Sequence, residues 1–427
     1  MESLAARRTR LMGPNVPTFY RRPLEIVRGE GVWLWDAAGR RYLDAYNNVP
    51  HVGHCHPRVV EAVSRQLATL DTNSRYLHPG ILDYAERLTA SFGDGLTQAL
   101  FACTGSEAMD VALRMAQAAT GHTGIVATDN TYHGNTTAVA QFSARRPPLG
   151  GYPPHVRLVP SPDARAPLGG SAAAQPAAFA AAVARAAEDL AEAGHGLAAL
   201  VVCPVFANEG LPGVGPGWLD ASAEAVRKAG GVLIVDEVQP GLGRVGTHLW
   251  GHGLLGVAPD IVVLGKALGN GHPLAALVTR PDHMAAFRER FGYFNTTAAT
   301  PVAAAAGSAV LDVMADEGLR ENAGRTGARL AEALGTLDDP GIARVTAHGL
   351  MAAVELVDGT GRPDAARAEA VVERMKDAGV LIGRIGRQMH VLKIRPPMPF
   401  APEHVDRLTE ALAAALAAVP LTEGTPA

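Results

Sequence analysis

The sequence predicts an α/β protein: a large domain on a mostly parallel β-sheet, with a smaller α+β domain built from the C-terminal part and the N-terminal segment. Three observations carry this expectation. Apolar runs at residues 100–102, 124–127, 199–203, 232–235, 261–264 and 274–278 have the length and unbroken hydrophobicity of strands buried on both faces. Helical patterns at 106–119, 179–193 (alanine-rich) and 218–229 fall between them, and such alternation builds parallel sheets. After Pro301 the pattern changes to long helices, then strand-like runs at 351–356 and 390–394, then a final helix at about 403–418.

The first residues differ from both regions. Runs 32–35 and 41–45 flank the Gly-containing stretch 36–40 and read as a hairpin. The expected divisions are an N-terminal segment at 1–60, a large domain at 61–310 and a small C-terminal domain at 311–427. Residues 163–176, rich in Pro, Gly and Ala, read as a surface loop, and 421–427 as a frayed tail. No internal repeat is visible.

Composition narrows the function. The 427 residues are 48% hydrophobic and 19% charged, as in ordinary globular proteins. A net charge of −4 argues against a dedicated binder of nucleic acid or anionic membrane. No apolar run reaches the roughly 20 residues of a membrane span. The basic N-terminus lacks the apolar stretch of a signal peptide. Three scattered cysteines (Cys55, Cys103, Cys203) make no disulfide framework, so the expected compartment is the reducing cytoplasm.

The chemistry concentrates at two strand ends. The apolar run 232–235 ends in Asp236 and Glu237, and the run 261–264 ends in Gly265 and Lys266. Ligands of open α/β sheets sit beyond the carboxyl ends of strands, so Asp236 and Lys266 face one crevice. A carboxylate and an amine placed there suit pyridoxal 5′-phosphate (PLP). The amine forms a Schiff base, and the carboxylate keeps the pyridine nitrogen protonated so that the ring accepts electrons. The same two residues would also serve as a buried ion pair. Thr104-Gly-Ser-Glu-Ala108 follows a strand and opens a helix, where N–H groups and a Ser hydroxyl make an anion site. Thr104 and Glu107 are equally a capping box, and the two roles are compatible.

Two other patterns are set aside. Gly241-Leu-Gly243-Arg-Val-Gly246 fits a dinucleotide fingerprint, but Asp236 and Glu237 precede it and no amphipathic helix follows. His54-Cys-His56 has no matching pair elsewhere, so packing and loop hydrogen bonds explain it better than a metal, and no metal is expected.

Together these pieces resemble the class-III (ω-amino acid) branch of PLP-dependent aminotransferases, of fold type I. The resemblance runs from Gly31-Val-Trp-Leu-Trp-Asp36 to Lys393-Ile-Arg-Pro-Pro397. It rests on Thr104-Gly-Ser-Glu-Ala108, Tyr132-His-Gly134, Asp236-Glu-Val-Gln239 with Gly243-Arg-Val-Gly246, and Gly265-Lys266. It implies that Lys266 is the Schiff-base lysine and proton shuttle, and that Asp236 pairs with the pyridine nitrogen. It places Gln239 near the ring hydroxyl, Val238 against one ring face and Tyr132 on the other. Gly105 and Ser106 hold the phosphate. Thr296 reaches the phosphate of a neighbouring subunit, which implies a homodimer with shared active sites.

Some stretches resemble the phospho-lyases of this branch, which act on phosphoethanolamine or phosphohydroxylysine. These are Tyr46-Asn-Asn-Val49, Val52-Gly-His-Cys-His-Pro57, Thr72-Asn-Ser-Arg-Tyr-Leu-His78, Gly269-Asn-Gly-His-Pro273 and Val391-Leu-Lys-Ile-Arg-Pro-Pro397. The chain also departs from typical members. Lys393 stands where they carry a carboxylate-gripping arginine, with Arg395 two residues on. Asn208 stands at the position of the glutamate that gates this arginine, Glu209 comes one step later, and Asn135 stands where ornithine-type members carry an arginine. Thr296-Thr-Ala-Ala-Thr-Pro301 replaces Thr-Phe-Gly-Gly-Asn-Pro. Arginine offers a planar bidentate fork for carboxylates, whereas lysine is a point charge that also suits phosphate.

The resulting expectation is an aminotransferase moving an amino group between a small amine or amino acid and a keto acid, with Lys393 and Arg395 as substrate contacts. The alternative is a phospho-lyase that eliminates phosphate and ammonia from a phosphorylated amine. A catalytically silent PLP-binding protein is disfavoured because Lys266 and Asp236 are both present.

Overall fold

A computed structural model describes residues 2–93 and 95–423. Its centre is a seven-stranded sheet in the order Gln98–Ala102, Ala275–Thr279, Ile261–Leu264, Val232–Asp236, Leu197–Val202, Gly124–Thr128, Val156–Val159. Ala275–Thr279 is antiparallel to both neighbours, and every other pairing is parallel. The reversal has a steric cause. Only residues 265–274 separate Ile261–Leu264 from Ala275–Thr279. A parallel return needs a crossover of about a dozen residues or more. The short connection therefore brings the chain straight back, and it carries Lys266.

The strands alternate between two cores, as a period of two demands. Ile125, Ala127, Ala199, Val201 and Ile234 pack under helix Gly105–Thr120. Val126, Leu200, Leu233 and Val235 pack under helices Gln175–Glu192 and Asp220–Lys228. Covering both faces is what makes the strands read as continuous apolar runs. Val156–Val159 was not expected: it has four residues and lies between Pro154 and Pro160.

The smaller region holds an antiparallel sheet in the order Ile342–Ala347, Ala352–Leu356, Val391–Ile394, Gly383–Ile385. Helices Leu319–Gly335, Ala365–Asp377 and Pro402–Ala418 accompany it. The N-terminal hairpin forms as expected, pairing Trp33–Asp36 with Arg41–Asp44. Arg41–Asp44 then pairs in parallel with Val380–Leu381, so backbone hydrogen bonds tie the N-terminal segment to the C-terminal part. Helix Pro301–Asp316 runs unbroken through residue 310 and packs on helices Pro57–Thr69 and Pro79–Ala90. The tail is not frayed at Thr422, whose carbonyl accepts the Gly359 N–H at 3.0 Å. Residues 424–427 lie outside the described residues.

The Gly241–Gly246 stretch is a packing seam. A Cβ on Gly246 would stand 2.6 Å from the Gly324 Cα. Arg244, fully buried, donates to the carbonyls of Leu350 at 3.0 Å and Pro396 at 2.7 Å. Those bonds stitch the seam to the small sheet and leave no room for a dinucleotide.

Candidate active site

Lys266 and Asp236 meet at the carboxyl ends of adjacent strands, Ile261–Leu264 and Val232–Asp236. Lys266 opens a tight 3₁₀ turn at φ +38°, a conformation few side chains adopt. Such strain gathers at functional sites, where the surrounding structure enforces it. Burial holds the Lys266 amine below the usual lysine pKa. The Arg395 charge lowers it further, against the opposing pull of Asp236. The amine therefore loses its proton more readily than a free lysine does.

Asp236 is buried and its two oxygens have separate partners. Oδ1 accepts the Val238 N–H at 3.0 Å, and Oδ2 accepts Nδ1–H of His133 at 2.6 Å. His133 Nε2 lies 2.8 Å from the Thr131 hydroxyl. With its proton on Nδ1, the ring accepts from Thr131 and donates to Asp236. The motif Tyr132-His-Gly134 was visible in the sequence, but its histidine had been given no role. The available signal was the buried acid, which needs a donor.

The anion cradle is the first turn of helix Gly105–Thr120. Thr104 Oγ1 accepts the Glu107 N–H at 3.2 Å, and the Glu107 carboxylate accepts the Cys103 N–H at 2.8 Å. The cap is thus closed by Thr104 at the N-cap and Glu107 in the first turn. The Gly105 and Ser106 N–H groups belong to the first turn, which has no intrahelical acceptor for them. Ser106 Oγ accepts the Asn135 N–H at 3.2 Å. A Cβ on Gly134 would meet Ser106 Cα at 2.8 Å, and one on Gly265 would meet Gly105 Cα at 3.3 Å. Glycine at these places lets the Tyr132 and Lys266 loops close on the cradle. Val238 sits beside it, with Cγ2 3.1 Å from where a Gly105 Cβ would lie.

The structure brings Gln239, Lys393 and Arg395 together. Gln239 Oε1 accepts from Lys393 Nζ at 2.7 Å and also from Arg395 Nη1. Gln239 Nε2 donates to Asn208 Oδ1 at 3.2 Å, and Asn208 Nδ2 donates to the Tyr132 carbonyl at 3.0 Å. Lys393 Nζ also donates to the Ala207 carbonyl at 3.1 Å. Both side chains are buried. Burial, then the neighbouring Arg395, pushes the Lys393 amine well below its ordinary value. Arg395 further donates to the Tyr46 carbonyl at 3.4 Å and lies 5.4 Å from the Tyr46 ring centre.

Tyr132 is 44% exposed. Thr296 is exposed. Its loop is anchored to the cradle by Asn295, which donates to Glu107, and by Thr297, whose Oγ1 lies 3.3 Å from Cys103 Sγ. His54 pairs with Asp44 at 2.7 Å and His56 with Glu317 at 3.0 Å, so the two histidines do not converge. Among the described residues no cluster of three or more His, Cys, Asp or Glu side chains is placed to hold a metal.

A helix-layered sheet with lysine and aspartate at adjacent strand ends, beside a helix N-terminus, defines a PLP enzyme of fold type I. The family model "Aminotransferase class-III" matches residues 17–416, and the chain belongs to that PLP-dependent family. It is 38% identical to the alanine–glyoxylate aminotransferase 2-like protein of Drosophila melanogaster over 93% of this chain and 84% of the relative. It is 34% identical to ethanolamine-phosphate phospho-lyase homolog 1 of Caenorhabditis elegans, covering 96% and 92%. Among solved structures, a phospholyase from Arthrobacter in complex with phosphoethanolamine superposes with a TM-score of 0.93 at 40% identity, covering 98% of this chain and 100% of that one. Ornithine aminotransferase from Toxoplasma gondii, described with PLP at its active site, gives 0.80 at 26% identity, covering 97% and 94%.

Proposed function

We propose that the protein moves an amino group between a small amine or amino acid and a keto acid, using PLP held covalently by Lys266. The carrying observation is the convergence of a partly buried amine, a buried carboxylate and an open helix N-terminus in one cleft. The residues fit the cofactor. Gly105 and Ser106 offer N–H groups and a hydroxyl to the phosphate. Asp236, held in place by His133, would pair with the ring nitrogen and keep it protonated. Val238 and Tyr132 would flank the ring, and Gln239 would lie beside its hydroxyl. When bound, PLP supplies an aldehyde that condenses with amines and a protonated ring that accepts the electron pair left by a departing proton. The Lys266 amine would take the proton from the substrate carbon beside nitrogen and redeliver it. Arg395, with Lys393 beside it on Gln239 Oε1, would meet a substrate anion.

A homodimer completes this reading, with Thr296 of each chain meeting the partner's phosphate. Thr296 is exposed, yet its loop is fastened to the cradle. Dilution to monomer is expected to speed PLP loss in size-exclusion runs with absorbance detection. A monomer that retains all its PLP would refute the shared site.

A second reading is elimination of phosphate and ammonia from a phosphorylated amine. Lysine at position 393 and the 40% identity to the Arthrobacter phospholyase favour it. One product assay separates the two. L-Alanine with glyoxylate, and phosphoethanolamine alone, are supplied to the enzyme while ammonia, phosphate and amine transfer are followed. Transfer that stops after one turnover without keto acid supports the aminotransferase. Sustained release of phosphate and ammonia without acceptor replaces it with the lyase.

A further inference from the structure

The loop after strand Leu197–Val202 belongs to the large sheet by sequence but is held by the small one. Its backbone enters the left-handed region at Phe206 (φ +48°), Gly210 (+115°), Leu211 (+52°) and Gly213 (+80°). Bulky residues do not hold that conformation unaided. Val205, Ala207 and Leu211 pack with Ala353, Ile385 and Val391 of the small sheet in a cluster of their own. Arg344 closes the junction. Its Nη1 donates to the Leu211 carbonyl at 2.6 Å and its Nη2 to the Gly210 carbonyl at 3.1 Å.

The guanidinium is itself held rigid. Arg344 and Glu355 are cross-strand partners, and Nε donates to Glu355 Oε2 at 3.1 Å. Glu355 Oε1 in turn accepts from His390 Nε2 at 3.1 Å, one strand further across. Arg344 Nη1 also donates to Thr346 Oγ1. Every nitrogen of the side chain is engaged, so the fork has one orientation. Between the gripped carbonyls and the strand lies Asn208, whose amide bridges the Tyr132 carbonyl and Gln239.

We propose that Arg344 is a positioning residue: its two bonds to the Gly210 and Leu211 carbonyls hold the strained loop so that Asn208 sets the place of Tyr132 and Gln239. This rests on the reading of the cleft as a PLP site, but the latch itself is a backbone contact that exists whatever the substrate. It couples the small sheet to the segment carrying Tyr132 and His133.

The test is Arg344→Lys in the PLP-loaded protein. Lysine keeps a cation for Glu355 but lacks the fork that spans two carbonyls. Hydrogen–deuterium exchange is expected to rise about tenfold at 205–213 and measurably at 130–135, with strand Ala352–Leu356 unchanged. Asn208→Ala should loosen 130–135 while leaving the latched carbonyl segment near wild type. With the amine that the product assay identifies, kcat should fall several-fold in each single variant, with no further loss in the double variant. Unchanged exchange at 205–213, a loosened loop with 130–135 unaffected, loosening spread over the small sheet, or additive losses in kcat would each overturn the proposal. Exchange is read without turnover, so failure of the latch is distinguishable from failure of the PLP reading.

Discussion

Replacing Lys266 with alanine is expected to abolish covalent attachment of PLP and to lower turnover by about 10²–10⁴ from lost proton transfer alone. The chain has four lysines, and their settings single this one out. Lys228 is exposed at the end of helix Asp220–Lys228. Lys376 is buried against Glu373 at 2.8 Å. Lys393 is committed to the Ala207 carbonyl and Gln239. Lys266 alone stands at a strand end beside Asp236, with its proton affinity lowered by burial and by Arg395. Because the neutral amine reacts, capture of PLP by cofactor-free protein should rise with pH and level off below the range of a free lysine. Borohydride reduction of the loaded enzyme followed by peptide mapping should label Lys266, and label on another lysine would reject the assignment.

Asp236→Asn is expected to retain PLP but to lose on the order of 10²–10³ in kcat, the usual effect of removing one preorganised electrostatic partner. Retention follows from the geometry, since the phosphate cradle and Lys266 come from other segments. The loss follows because an amide cannot balance a protonated ring nitrogen as a carboxylate does. Absorbance reports bound PLP and steady-state kinetics report kcat. Activity near that of the parent enzyme would remove Asp236 from its role.

Strands of the large sheet were legible because both of their faces are buried, which leaves a contiguous apolar run in the sequence. Helices Pro57–Thr69, Pro79–Ala90 and Pro281–Arg290 were not read. The first buries only Val59 and the second only Tyr84 and Leu88, so their core signal is thin. Each opens on proline at its first position, and that start signal was available. The direction of Ala275–Thr279 was hidden for another reason: an apolar run has the same appearance whichever way it points, and only the short connection decides.

By itself the sequence determined the pieces whose chemistry is local. Asp236 and Lys266 each end an apolar run, and Thr104–Ala108 caps a helix, so strand end, turn and helix start are written in consecutive residues. The tertiary structure decided everything that depends on partners distant in the chain. His133 meets Asp236 across 103 positions, and Lys393 meets Gln239 across 154. Sequence reasoning read Lys393 only as a grip for a substrate anion. The fold sets its amine against the Ala207 carbonyl and the Gln239 amide, because a buried amine must find acceptors close at hand. Arg344 reads in the sequence as one more charge in a strand, and only the pairing of Ile342–Ala347 with Ala352–Leu356 aims its fork at the Gly210 and Leu211 carbonyls. Hydrogen bonds of this kind follow neither helical nor strand periodicity, so no spacing in the sequence announces them.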